Sequence, residues 1–162
     1  MAASALAGMR CMIAPKRFTL DTNILVYSVD SRTTGKHKHA SSIVTDAAER
    51  DCLLTVQTLG EFTNVAQRKD VAAIDKAIAL TRAWQQVFPV VAANQETFND
   101  AVEYVRDHQI SFWDAMLWVT AKQAGCAYVL SEDMQHGRRL GGVEVINPFI
   151  KDAKPTLDLL FG

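Results

Sequence analysis

Four acidic residues of this chain stand in settings suited to metal chemistry. They are Asp21 in Leu20-Asp21-Thr22-Asn23, Glu61 in Thr58-Leu59-Gly60-Glu61, Asp114 in Phe112-Trp113-Asp114-Ala115 and Asp133 in Ser131-Glu132-Asp133. Steps of 40, 53 and 19 residues separate them, so only tertiary structure can collect them. Collected and left unpaired they would repel, and some would carry raised pKa values. A divalent cation removes that conflict. Oxygen ligands without a nearby His or Cys set favour Mg²⁺ or Mn²⁺ over zinc. Mg²⁺ keeps several waters and takes phosphate oxygens as further ligands, so the chemistry indicated is phosphoryl chemistry.

The elements that must position these acids can be read from periodicity. Phe18-Thr19-Leu20, Cys52 to Val56, Phe88 to Val91, Ala127 to Leu130 and Val143 to Ile146 are short apolar runs of strand length. Pro89 suits an edge or strand start. Between them, Ala40, Ile43, Val44, Ala47 and Ala48 recur at helical spacing, as do Leu59, Phe62, Val65 and Ala66. Helical spacing returns in Ile74, Ala77 and Ile78, in Phe98, Ala101, Val102 and Val105, and from Trp113 to Ala124. Gly125 is placed to cap the last of these. Strands alternating with helices predict an α/β fold, three layers α/β/α with a mostly parallel five-stranded sheet. Ligands of such sheets bind at the carboxyl ends of the strands. Asp21 directly follows the first strand, and Asp133 follows the fourth. Glu61 and Asp114 lie in first turns of helices at that same edge, so all four acids converge on one rim.

Each acid also has a purely structural role open to it. Thr58 to Glu61 reads as a capping box and Ser111 to Asp114 as a variant of one. Asp21 can cap a short helix, and Asp133 can sit in a loop. Independent caps, however, have no reason to share a rim.

The chain has 162 residues, 49% hydrophobic and 22% charged, the composition of one globular domain. Its net charge of −1 removes the argument from a strongly basic domain without excluding an enzyme whose acids hold a metal against phosphate. Cys11, Cys52 and Cys126 are odd in number and widely spaced, which suits buried thiols in a reducing cytoplasm. Residues 1–17 read as an N-terminal extension in which Met9 and Met12 are alternative starts. Arg10 interrupts its apolar stretch and no basic region opens it, so it makes a poor secretion signal. Residues 18–150 form the expected domain, and residues 151–162 read as a C-terminal tail with apolar Leu157, Leu159, Leu160 and Phe161, suited to a dimer contact. No apolar run reaches membrane-spanning length.

Phe18 to Tyr27, with Asp21-Thr22-Asn23 inside it, resembles the opening motif of PIN-domain nucleases. Thr58 to Glu61 is similar to their second acidic element, and Phe112 to Ala115 to their third. Val129-Leu130-Ser131-Glu132-Asp133-Met134 is similar to their fourth. The similarity runs from about Phe18 to Pro148, and its compact form is most like the VapC toxins of toxin–antitoxin pairs. The resemblance implies a Mg²⁺- or Mn²⁺-dependent endoribonuclease with Asp21 and Asp114 as main ligands and Glu61 and Asp133 completing the site. Asn23 and Ser131 would orient carboxylates or water. Glu132 competes with Asp133, and strand alternation favours Asp133. The resemblance also implies an RNA substrate, an antitoxin partner and a homodimer. Metal-activated water attacking in line would leave a 5′-phosphate and a 3′-hydroxyl.

Arg138 and Arg139, soon after Asp133, are candidates for the RNA backbone. Arg32, Lys36 and Lys38 serve either that role or solubility. His37 and His39 read as a solvated helix start rather than a metal pair. Trp113 and Trp118 suit packing before base stacking. Two alternatives remain: a non-catalytic PIN-fold binding module for RNA or protein, and a Mg²⁺-dependent phosphatase. The haloacid-type phosphatase needs a second Asp where this chain has Asn23.

Overall fold

The structure, a computed structural model, describes residues 16–69 and 71–162. The expected N-terminal extension, with Met9, Met12 and Cys11, lies outside the described residues except for Lys16 and Arg17.

The strands are β1 (Phe18–Leu20), β2 (Cys52–Thr55), β3 (Val90–Val91), β4 (Tyr128–Leu130), β5 (Arg139–Leu140) and β6 (Val143–Ile146). The helices are α1 (Thr22–Val29), α2 (Thr34–Ala47), α3 (Val56–Arg68), α4 (Ile74–Val87), α5 (Gln95–His108), α6 (Phe112–Gln123) and α7 (Lys154–Phe161), with a 3₁₀ turn at Lys151–Ala153. One sheet runs β3-β2-β1-β4-β6-β5. All its pairings are parallel except β5 with β6. The fold is therefore α/β with a mostly parallel sheet, and it has one strand more than the five expected. β5 is only two residues long and joins β6 through Gly141-Gly142, both at positive φ (56° and 87°). That is the backbone of a tight type I′ hairpin, for which two glycines are suited.

Strand alternation divides the core. Phe18 and Leu20 of β1, Leu54 of β2, Leu130 of β4 and Ile146 of β6 pack with Ile24, Phe62 and Trp84. Leu53, Val129, Val143 and Val145 point the other way, onto Leu117, Trp118 and Ala121 of α6. Helices thus cover both faces, as a parallel sheet requires. Gly125, at φ 78°, ends α6 in the left-handed region.

The segment from Lys151 is folded in this structure. Pro155 opens α7, where a missing N–H costs nothing. Leu160 is 6% exposed in the first core cluster, and Phe161 meets Phe18 edge to face at 5.5 Å. Cys52 and Cys126 are free and buried. Among the described residues no helix is long and apolar enough to cross a membrane.

Candidate active site

The order of strands fixes where a site can form. From β1 the chain moves outward through β2 to β3, then returns to lay β4 on the other side of β1. The carboxyl ends of β1 and β4 therefore flank a switch point, the usual ligand crevice of open α/β sheets.

Asp21 stands at that point, its N–H donating to the Leu130 carbonyl at the end of β4 (2.9 Å). It is also the N-cap of α1, accepting on Oδ1 from the Thr22 N–H at 2.6 Å. Its Oδ2 accepts from Ser131 Oγ (2.6 Å) and Asn23 Nδ2 (2.9 Å). Burial raises the Asp21 pKa to about 6. The Ser131 and Thr22 hydrogen bonds work against that rise, and the neighbouring charges of Glu61 and Asp114 add to it.

Glu61 is held by one contact from its own helix and one from across the cleft. Helix α3 begins at Val56, and its capping box is Thr55 with Thr58: the Thr58 N–H donates to Thr55 Oγ1 at 3.0 Å, and the Thr55 N–H to Thr58 Oγ1 at 3.3 Å. The box expected at Thr58–Glu61 thus lies three residues earlier, and Glu61 is released from capping. Its Oε2 accepts from Thr22 Oγ1 at 2.9 Å and its Oε1 from Gln57 Nε2 at 2.8 Å. Gln57 Nε2 also donates to the Trp113 carbonyl at 3.0 Å, tying α3 to the start of α6. There Ser111 is the N-cap, accepting from the Asp114 N–H at 3.1 Å. The Asp114 carboxylate itself accepts no hydrogen bond among the described residues.

Asp133 is exposed and accepts from Asn23 Nδ2 at 3.2 Å. The adjacent Glu132 turns away to pair with Lys36, which lies 5.0 Å from the Tyr27 ring centre. Burial pushes the Glu132 carboxyl up, but hydrogen bonds from Lys36 and Tyr27 outweigh it and hold it below its ordinary value.

Asp21, Glu61, Asp114 and Asp133 line one cleft of about 260 Å³, with Lys69 and Tyr27 at its wall. Asn23 also lines it, and the buried Ser131 supports Asp21 from behind. Among the described residues, no three His, Cys, Asp or Glu side chains form a closed metal cage. The donor set is all oxygen, and carboxylate repulsion on Asp21 is part of the site. That arrangement fits a hard cation retaining most of its waters, which needs only one or two direct carboxylates.

The basic candidates separate. Arg138 borders a second cleft that shares Asp114 and Asp133 with the first. Arg139 is ion-paired with Glu144, at a register level with Tyr128, on the opposite edge of the sheet. Arg32 is engaged by Asp30 at 2.8 Å and Lys36 by Glu132, while Lys38 is exposed. His37 contacts the Tyr27 carbonyl and His39 the Phe149 ring, so they do not face a common ion. Trp118 is buried with its indole N–H on the Leu140 carbonyl, whereas Trp113 is 60% exposed. Sequence reasoning missed Thr22, Gln57 and Lys69. Gln57 had a legible signal, its i,i+4 spacing to Glu61.

The family model of the PIN domain matches residues 18–139, which span the whole rim. The chain belongs to the PIN domain family. No curated protein matches it. Among solved structures, this PIN domain is similar to the VapC20 toxin of Mycobacterium tuberculosis, described as cleaving the sarcin–ricin loop (17% identity, TM-score 0.60, covering 72% of this chain and 89% of that one). It is also similar to a chain of a toxin–antitoxin complex from Klebsiella pneumoniae (18%, TM-score 0.59, 81% and 97%). A third likeness is to the DNA-bound VapBC of Salmonella typhimurium (18%, TM-score 0.59, 80% and 96%). At these identities the likeness is one of fold.

Proposed function

We propose that this PIN domain is a Mg²⁺- or Mn²⁺-dependent endoribonuclease, the toxin of a toxin–antitoxin pair, acting in the cytoplasm. The observation that carries the reading is the convergence of Asp21, Glu61, Asp114 and Asp133, from four separate elements, on one cleft at the switch point. When bound, the ion supplies Lewis acidity and a water of lowered pKa. The protein's own part is to hold the acids still. Ser131, Asn23 and the Thr22 N–H fix both oxygens of Asp21. Thr22 and Gln57 fix those of Glu61. Asp114 keeps its oxygens available, and Asn23 holds Asp133 beside the rim. Arg138 stands where the RNA backbone would leave it.

The antitoxin partner is supported by the toxin–antitoxin complexes among the structural likenesses. A homodimer is supported by the exposed apolar side chains of Phe98 and Val102, one turn apart on α5, with exposed Trp113 beside them through Phe112. The haloacid-type phosphatase finds no support at Asn23, whose amide donates to Asp21 and Asp133 in place of a second carboxylate.

Purified protein freed of any partner is expected to cut single-stranded or looped RNA with Mg²⁺ or Mn²⁺ and to stop on addition of chelator. Asp114→Asn should reduce cleavage to background. Equal cleavage by that variant would assign the activity to a contaminant.

A further inference from the structure

The acid cleft has a neighbour. A second cleft of about 190 Å³ shares Asp114 and Asp133 with it and is otherwise walled on its polar side by Gln109, Ser111, Gln135 and Arg138. Arg138 is the one cation among these lining residues. It is half-buried, and among the described residues it has no acidic partner, although two carboxylates line the same cleft. Its Nη2 instead donates to the carbonyl of His108, the last residue of α5, at 2.5 Å. The carboxyl end of a helix carries partial negative charge and favours a cation there. That single contact anchors the guanidinium and leaves its other N–H groups unspent. The side-chain amides of Gln109 and Gln135 likewise have no partner among the described residues.

We propose that this second cleft seats the phosphate one nucleotide away from the scissile bond, with Arg138 as its clamp. The inference rests on the ribonuclease reading and adds to it where the strand runs. A strand whose scissile phosphate lies over the acids and which runs on into this second cleft carries its next phosphate past Asp114 and Asp133, where carboxylates repel it. The guanidinium fork matches phosphate oxygens. It answers that repulsion in a cleft that adjoins the acids and holds a cation with no ion-pair partner among the described residues. The free amides of Gln109 and Gln135 then face the attached base, where amide groups can discriminate by hydrogen bonding.

The competing explanation is that Arg138 only caps α5, and the experiment separates the two. A fluorescent single-stranded oligoribonucleotide is made with one neutral methylphosphonate at each position in turn around the cut bond. Binding is read by anisotropy in Ca²⁺ and cleavage in Mg²⁺ or Mn²⁺. In the wild type, one flanking methylphosphonate should weaken binding about tenfold, and Arg138→Gln should weaken the unmodified strand to the same degree. Combined, the two changes should cost no more than either alone. Arg138→Gln should also lower the salt dependence of binding by about 0.7 in slope, the share of one phosphate on a single strand. Arg138→Lys should recover the slope but only part of the affinity, and Arg139→Gln, on the opposite edge, should change neither. Additive penalties, or an unchanged slope with a lowered melting temperature, would overturn the clamp and leave Arg138 a helix cap. Absence of cleavage by the wild type would overturn the ribonuclease reading, while the binding arm still decides the clamp.

Discussion

Asp21 caps a helix with one oxygen, receives two donors on the other, and still feels the charges of Glu61 and Asp114. Its pKa of about 6 lies above the ordinary carboxylate value near 4. Between those two pH values the native state therefore binds more protons than the unfolded chain, and the stability of the metal-free protein falls as pH rises. At pH 7 the deficit is on the order of 3 kcal/mol. Asp21→Asn removes the charge and keeps the shape. Without metal it should melt higher than the parent at pH 7, and its stability should change less between pH 4 and 6. It should also lose most of the stabilisation that millimolar Mg²⁺ gives the parent, because binding to the native state alone stabilises by mass action. A residue that served only as an N-cap would behave otherwise, since Asn caps almost as well as Asp. Its substitution would leave the melting temperature and the Mg²⁺ response where they were. Thermal scans with chelator and with Mg²⁺ distinguish the two.

At the scale of elements, the β5–β6 hairpin is the piece most dependent on one backbone position. Gly141 has φ 56°, and a methyl group there would come within 2.6 Å of the Tyr104 hydroxyl and 2.9 Å of Lys122 Cδ. Gly141→Ala is expected to cost about 1–2 kcal/mol, part from the left-handed backbone and part from displacing those side chains. A chemical denaturation midpoint equal to the parent's would show that the hairpin absorbs the change. The same hairpin marks where sequence reading ran out. β1, β2, β4 and β6 are short apolar runs whose burial is written in their composition, while Arg139-Leu140 is a two-residue polar-apolar pair whose only signal was the Gly-Gly beside it. Helix α3 shows a second limit. Thr58–Glu61 fits the usual capping-box pattern, whereas the box that forms is Thr55 with Thr58. The choice is settled by Thr22, 39 residues away, which takes the Glu61 carboxylate. The four acids could be placed on one rim because strand ends and helix starts are local features. Of their supporting donors, Gln57 lies one helical turn from Glu61 and was legible locally, and Asn23 and Ser131 came with the family resemblance. The Thr22 hydroxyl that reaches Glu61 is tertiary and was not legible.

For the whole molecule, we propose that residues 151–162 belong to the folded domain rather than to a separable tail. α7 brings Leu160 into the larger core and sets Phe161 edge to face against Phe18 of the central strand, and Arg50 Nη2 donates to the Phe161 carbonyl at 2.6 Å. Deleting residues 154–162 should therefore lower stability by about 3 kcal/mol, from the apolar area uncovered. An unchanged melting temperature would make the segment an appendage. The pairing of β1 with β4 carries a different consequence. It joins Phe18 to Tyr128, and through it Ser131 reaches Asp21 across 110 positions of chain. A protein made from its amino end carries Asp21 and Glu61 well before the strand that orders them exists, and Asp114 shortly before it. Until β4 is made the chain carries at most three of the four acids and no assembled rim. On the proposed ribonuclease reading, the message being translated meets a finished rim only after β4, Ser131 and Asp133 have been made.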